Sequence, residues 1–136
     1  MNDPKELIAR HKLAPHPEGG WYRETWRAEA APGERSPGTA ILFLLEEGQS
    51  SHWHKVDADE LWFWHAGAAL DLRIGVATVT LDAANPQARV AAGEWQAAKA
   101  RGGWAFVSCV VVPGFDFAGF TLAPEGWEPW AHLRSC

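Results

Sequence analysis

Residues 50–67 read SSHWHKVDADELWFWHAG and hold three of the six histidines and three of the nine tryptophans of the chain. Successive side chains of a regular strand point to opposite faces, so His52 and His54 are predicted to share one face. The polar residues after them suit a hairpin turn, which would bring Glu60 opposite both histidines. Two imidazoles and a carboxylate can bind Fe(II), Mn(II), Ni(II) or Zn(II). The stretch therefore predicts either a metal site or a hydrogen-bonded polar cluster between two strands.

Short strand-like segments separated by turns continue on both sides of this stretch. Many short strands at intervals of about 8–12 residues indicate an all-β sandwich or barrel. The predicted strands are WYRETWR, TAILFLLE, SSHWHKV, ELWFWHAG, ALDLRIG, VATVTLD, ARVAAG, EWQAA, GWAFVSCVVVPG and FAGFTLAP.

The beginning of the chain favours a helix, because Asp3 suits an N-cap, Pro4 the first helical position and Glu6 a capping-box pattern. Prolines and glycines in residues 14–20 should end it. The chain has no repeat and no linker, so a single domain is predicted. Its expected parts are residues 3–12 as a helix, 20–123 as a β-barrel and 124–136 as a tail, within one domain of residues 1–136.

Composition and charge narrow the classes of partner. The net charge is -5 and the pI about 5.6, which argues against binding to nucleic acid or to anionic membranes. The longest apolar runs are too short for a membrane span, and the N-terminus does not read as a signal peptide. Cys109 and Cys136 are expected to be free thiols in a reducing compartment, so a cytoplasmic location is predicted.

Four blocks of sequence, taken in order, carry a family resemblance. They are HPEGGWYRET, HWHKVDADELWFWHAG, GEWQ and CVVVPGFDFAGF, at residues 16–25, 52–67, 93–96 and 109–120. Together they resemble the cupin-5 or DUF985 family of the cupin superfamily, over nearly the whole chain from Leu7 to about Leu122.

The resemblance implies a cupin-type jelly roll, a double-stranded β-helix barrel with a ligand cavity in its mouth, and a homodimer. It implies that the histidine and glutamate of the family fall on His54 and Glu60, and that His52 fills the first position of the general cupin His-x-His. The position of the fourth cupin ligand aligns with Ala105, so that ligand is missing. Two alternatives stay open. Either one divalent transition metal binds at His52, His54 and Glu60 with reduced affinity, or the pocket holds no metal. No organic cofactor is expected.

The expected function is binding of a small polar molecule, sugar-like or nucleotide-sugar-like, with metal-assisted or His/Glu-based isomerase or epimerase chemistry. His54 or Glu60 would be the general base, and Tyr22 a proton donor unless it only packs in a strand. The alternatives are a non-catalytic metabolite-binding module and a dimeric scaffold with a vestigial site. The predicted ligand contacts are stacking walls and polar or anion-binding groups: Trp62, Trp64, Trp104, Arg73 and Gln96.

Overall fold

The computed structural model describes residues 3–129, which form one short α-helix, one 3-10 helix of three residues (Phe117–Gly119) and eleven strands. The strands β2 to β11 overlap the ten segments predicted from the sequence. The elements are α1 (Pro4–His11), β1 (Ala14–Pro15), β2 (Trp21–Arg27), β3 (Thr39–Leu45), β4 (Ser50–Val56), β5 (Asp59–Gly67), β6 (Leu70–Ile74), β7 (Ala77–Leu81), β8 (Gln87–Val90), β9 (Gln96–Ala100), β10 (Ala105–Val112) and β11 (Phe120–Leu122). Cys136 and the end of the predicted tail lie outside the described residues.

The helix α1 begins as the sequence indicates. The side chain of Asp3 accepts a hydrogen bond of 2.9 Å from the backbone N–H of Lys5, which satisfies one of the free donors of the first turn. Leu7 is fully buried and packs with Leu44 and Phe106 of the strands β3 and β10. The helix therefore covers one face of a sheet. No helix among residues 3–129 is long and apolar enough to span a membrane.

The strands form two antiparallel sheets. Their orders are β1-β2-β3-β10-β5-β8 and β11-β4-β9-β6-β7. The main core combines side chains of both sheets, including Phe43 and Trp62 from the first and Leu70 and Leu72 from the second. Because the core lies between the two sheets, the prediction of an all-β, jelly-roll architecture is confirmed.

The barrel interior changes character along the strands. Val107 of β10 pairs with Phe43 on one side and Trp64 on the other, whereas Val111, further along β10, pairs with Glu60. We call the part around Phe43, Trp64 and Val107 the apolar end, and the part around Glu60 and Val111 the polar end. The candidate site lies at the polar end.

Candidate functional site

The polar end encloses a cavity of about 370 Å³ that opens to solvent. Its floor is formed by buried or half-buried side chains and its mouth by more exposed ones. The floor consists of His16, Glu18, Tyr22, His54 and Glu60, and the mouth includes Glu24, Arg27, Arg35, Asp116 and Phe117. Three residues predicted to be catalytic, His54, Glu60 and Tyr22, thus line one cavity.

Two glycines bring Glu18 to this cavity. Gly19 and Gly20 have φ values of +108° and +80°, which L side chains rarely adopt. A Cβ atom at Gly19 would lie 2.2 Å from the carbonyl oxygen of Ser50, so only glycine allows the loop to approach β4 this closely. At this approach the backbone N–H of His52 donates a hydrogen bond of 2.7 Å to the carbonyl oxygen of Glu18.

Glu18 and His54 form a buried pair. The Oε1 atom of Glu18 accepts a hydrogen bond of 2.9 Å from the Ser51 hydroxyl, and its Oε2 lies 3.2 Å from Nε2 of His54. Their side chains are 8% and 2% exposed. Burial raises the pKa of Glu18 to about 8, against the hydrogen bond from Ser51, and burial lowers the pKa of His54. Desolvation thus favours the neutral form of both groups.

Glu60 is held by a chain of side-chain hydrogen bonds. Its Oε1 accepts from the amide nitrogen of Gln96 at 2.9 Å, and Oε1 of Gln96 accepts from the indole N–H of Trp62 at 2.9 Å. Burial raises the pKa of Glu60 to about 6, while nearby His54 and the hydrogen bonds from Gln96 and Cys109 lower it. Glu60 is therefore mainly ionised at pH 7.

His16 completes the floor. Its Nδ1 accepts a hydrogen bond of 3.1 Å from the backbone N–H of Glu18, and its ring meets that of Tyr22 edge-on at 4.4 Å. Burial, aided by His54, lowers the pKa of His16 to about 4. The imidazole is therefore neutral at pH 7, and since Nδ1 accepts, its proton is on Nε2.

The two arginines of the mouth are already paired within the protein. Arg27 contacts Glu24 at 2.7 Å. Arg35 forms two hydrogen bonds to the carboxylate of Asp57, at 3.0 and 2.7 Å. Both guanidinium groups are thus partly neutralised by neighbouring carboxylates.

His52 lies apart from the other two predicted metal ligands. The pairing of β4 with β9 shifts register between Ser51 and His54, and Nε2 of His52 is 3.0 Å from the carbonyl oxygen of Pro124. The expectation that His52 and His54 share a face is therefore wrong, because a register shift interrupts the regular alternation.

The three predicted ligands do not fit a metal ion as they stand. The Nε2 atom of His54 faces Glu18, and an oxygen of Glu60 faces the amide of Gln96. Within residues 3–129, no group of three or more His, Cys, Asp or Glu side chains is arranged to hold a metal. Ala105, the aligned position of the fourth ligand, pairs with Leu45 at the apolar end.

The predicted stacking walls lie away from the cavity. Trp62 is 1% exposed within the core, and the indole N–H of Trp64 donates to the carbonyl oxygen of Ala68 at 2.9 Å. Trp104 packs against the cluster under α1.

The guanidinium of Arg73 lies 4.9 Å from the ring centre of Trp53. Gln96 lies behind Glu60, where it orients the carboxylate.

No role in the site was assigned to His16 or Glu18 from the sequence. The pattern that could have identified both is His-Pro-Glu-Gly-Gly. Two adjacent glycines after a histidine and a glutamate indicate that the backbone approaches another strand closely and carries these side chains inward.

An antiparallel double-sheet barrel with a polar cavity at one end defines the protein as a jelly roll of the cupin type. The family model Cupin_5, described as cupin superfamily (DUF985), matches residues 5–123. The chain belongs to this family.

Solved structures agree with this assignment. A crystal structure of a protein from Shewanella oneidensis is 35% identical, with a TM-score of 0.84 over 90% of this chain and 85% of that one. A hypothetical protein from Leishmania major is 26% identical, with a TM-score of 0.84 over 98% and 94%. A cupin-2 domain protein from Rhodospirillum rubrum, 17% identical with a TM-score of 0.62 over 90% and 76%, shares the fold. A comparison with curated proteins gave no significant match.

Proposed function

We propose that this protein binds a small polar molecule in the cavity and catalyses proton transfer on it, as an isomerase or epimerase does. The observation that carries the proposal is the gathering of two carboxyl groups and two imidazoles, Glu18, Glu60, His16 and His54, on the floor of one cavity. Buried ionisable groups with altered pKa values in a cleft are typical of sites of acid–base chemistry.

Glu60 is the proposed base. Its carboxylate accepts a hydrogen bond from Gln96, and a pKa of about 6 makes it a stronger base than an ordinary glutamate while leaving it ionised at pH 7. The Nε2–H of His16 and the hydroxyl of Tyr22 are the proposed donors that orient hydroxyl or carbonyl oxygens of the ligand.

The charge of the cavity favours a neutral, hydroxyl-bearing ligand over a phosphate-bearing one. Both arginines of the mouth, Arg27 and Arg35, are paired with carboxylates. The lining also contains Glu34 and Asp116, so an added phosphate would meet an excess of negative charge. Among the predicted ligand classes, a free sugar-like molecule therefore fits better than a nucleotide sugar.

The test begins with a thermal-shift screen of aldoses, ketoses and nucleotide sugars. Compounds that raise Tm are then incubated with the protein in D2O, and loss of a carbon-bound proton is followed by NMR. We expect a stabilising neutral sugar to exchange a proton with the wild type, and E60Q to bind it without exchange. Arg73→Gln, on a residue outside the cavity, is the matched control and should behave like the wild type.

Two results would contradict the proposal. Stabilisation by a sugar without any exchange in the wild type would indicate a binding module and would overturn the catalytic part. A screen in which no compound changes Tm would overturn binding of these classes and favour a scaffold.

A further inference from the structure

One side of the cavity is lined by three phenylalanines, Phe115, Phe117 and Phe120, which we call the aromatic wall. The ring centres of Phe115 and Phe117 are 4.8 Å apart, and the ring centre of Phe120 lies 5.7 and 6.0 Å from them. Phe120 is also 5.7 Å from the ring of His54. The aromatic wall therefore runs from the mouth of the cavity to its floor.

The outer member of the aromatic wall is open to solvent. Phe117 is 57% exposed, and of the large apolar side chains that are exposed within residues 3–129 it is the one that lines the cavity. Removing apolar surface from water is favourable. A ligand that covers the ring of Phe117 at the mouth would gain binding free energy in this way.

The segment that carries the aromatic wall is fastened to the strands β2 and β3 and to the loop between them. Arg27 donates a hydrogen bond of 3.1 Å to the carbonyl oxygen of Phe115, and Arg35 donates one of 2.7 Å to that of Gly114. The backbone N–H of Phe115 donates to Oγ1 of Thr39 at 2.9 Å. A surface that is held in place loses little conformational freedom when a ligand binds. The two arginines of the mouth thus position the aromatic wall.

The cavity combines this apolar side with a polar floor, and both limit the ligand. A volume of about 370 Å³ is near the lower end of the range for small-molecule sites, about 300–1,000 Å³, and suits a ligand of about one ring. His16, Tyr22 and Glu60 offer hydrogen-bonding groups to hydroxyls. The face of an aromatic ring carries partial negative charge and attracts the weakly positive hydrogens of C–H bonds. A ring with hydroxyls at its edge and C–H hydrogens on its face satisfies both sides.

We propose that the aromatic wall binds the C–H face of a pyranose ring, with Phe117 contacting that ring at the mouth of the cavity. This inference rests on the proposed function and names the ligand class of the same site: a neutral six-membered sugar ring with several C–H hydrogens on one face. Aldohexoses exist in water mainly as such rings. Open-chain polyols have the hydroxyls but no rigid apolar face, so the aromatic wall selects against them.

The test uses methyl β-D-glucopyranoside as the probe. It is locked as a ring, has three C–H hydrogens on one face and cannot isomerise, so its binding is independent of catalysis. The full chain with ¹³C-labelled phenylalanine rings is titrated with this probe and followed by NMR, and F117A identifies the signals of Phe117. We expect the signals of the aromatic wall to shift. Those of Phe106, which packs under α1, should stay in place and report an intact fold.

Variants at exposed aromatic positions test the contribution of Phe117. F117A should weaken the Kd of the probe by about 2- to 10-fold, the typical contribution of one aromatic contact. F117W keeps an aromatic face and should bind like the wild type. The matched control is W26A, at an aromatic residue that is 55% exposed and does not line the cavity, and its Kd should be unchanged.

Other small molecules test the ligand class. D-glucitol, an open-chain polyol with the same six-carbon chain, should bind more weakly than the glucoside. Equal binding of the two would show that hydroxyls alone are recognised and would overturn the proposal. Shifts with phenol and none with the glucoside would assign the aromatic wall to aromatic ligands, and an absence of shifts with every probe would remove its role in binding. Either result overturns the proposal.

The outcomes distinguish this inference from the proposed function. If a free sugar exchanges its carbon-bound proton with the wild type and binds F117A with the same Kd, only the aromatic wall is overturned. If the glucoside binds as expected while no free sugar exchanges a proton, the aromatic wall stands and the catalytic part of the proposed function is overturned.

Discussion

The two ends of the barrel interior are built from the same strands and differ in what they contain. At the apolar end, Phe43, Trp64 and Val107 pack in adjacent positions of β3, β5 and β10. At the polar end, a few residues along the same strands, Glu60 and Val111 line an open cavity. The alternation of side chains along a strand determines which residues face the barrel interior. It does not determine which part of the interior is packed with side chains and which part stays open as a cavity.

Trp62 lies at the border between the two ends. It meets Phe43 edge-on at 6.0 Å and donates from its indole to Gln96, which holds Glu60. One side chain thus contributes volume to the core and a hydrogen bond to the site. Substitutions that remove only one of these contributions therefore test the two ends of the barrel separately.

The largest effect is expected for Trp62→Ala. The side chain is 1% exposed, so its removal leaves a cavity and should lower the free energy of unfolding by about 3–5 kcal/mol. Urea denaturation measures this loss. Trp26, which is 55% exposed, provides the control, and Trp26→Ala should cost less than about 1 kcal/mol. Equal losses in both variants would mean that Trp62 does not anchor the apolar end.

Gln96→Leu breaks the connection between the two ends and keeps most of the volume. It leaves the indole of Trp62 without its acceptor and removes the Gln96 donor to Glu60, which keeps its hydrogen bond with Cys109, at a cost of about 1–3 kcal/mol. The pKa of Glu60 should rise above about 6, because a donor to the ionised form is lost. A ¹³C NMR titration of the glutamate carboxyl groups measures it. Lys99→Leu, at an exposed position of the same strand, should leave that pKa unchanged.

The pH dependence of the free energy of unfolding is a third way to distinguish the two ends of the barrel, because it depends on an ionisable group of the polar end. The pKa of Glu18 is raised from 4.5 to about 8, so between these values the folded protein holds a proton that the unfolded chain releases. The free energy of unfolding should therefore fall as the pH rises from 6.5 to 8, by at most about 1.4 kcal/mol per pH unit. The lowered pKa of His16 acts with the opposite sign and only below about pH 6.5.

Denaturation curves at several pH values in this range test the slope. In E18Q the slope should be much smaller, since glutamine does not titrate. A slope that is the same in E18Q and the wild type would assign the pH dependence to other groups.

The smallest effect is expected at the mouth. Arg27 and Glu24 are 47% and 36% exposed, and exposed ion pairs contribute little. Arg27→Gln should change the free energy of unfolding by less than about 1 kcal/mol in urea denaturation. A larger loss would show that the mouth supports the fold as well as bounding the cavity.

The sequence predicted the strands and the helix well because alternation, turns and caps are local properties. It did not predict the register shift in β4, which occurs where the backbone of His52 is hydrogen-bonded to that of Glu18, 34 positions away in sequence. The predicted grouping of His52 with His54 relied on regular alternation along β4, which this shift interrupts. The prediction that tryptophans form stacking walls of the ligand site failed because Trp62 and Trp64 share the inward face with Glu60 but fill the core. The homodimer, the metal and the cytoplasmic location stay predictions.

The peptide groups of residue 52 have a consequence for mutational screens. Its N–H holds the backbone of Glu18 and its C=O holds the ring of His54, while its own imidazole points to Pro124. Every amino acid except proline supplies the same two groups. A side-chain scan would therefore record position 52 as tolerant, although its main chain aligns both members of the buried pair. An ester in place of the peptide bond that carries the N–H of residue 52 is the kind of backbone change that would reveal this role of the main chain.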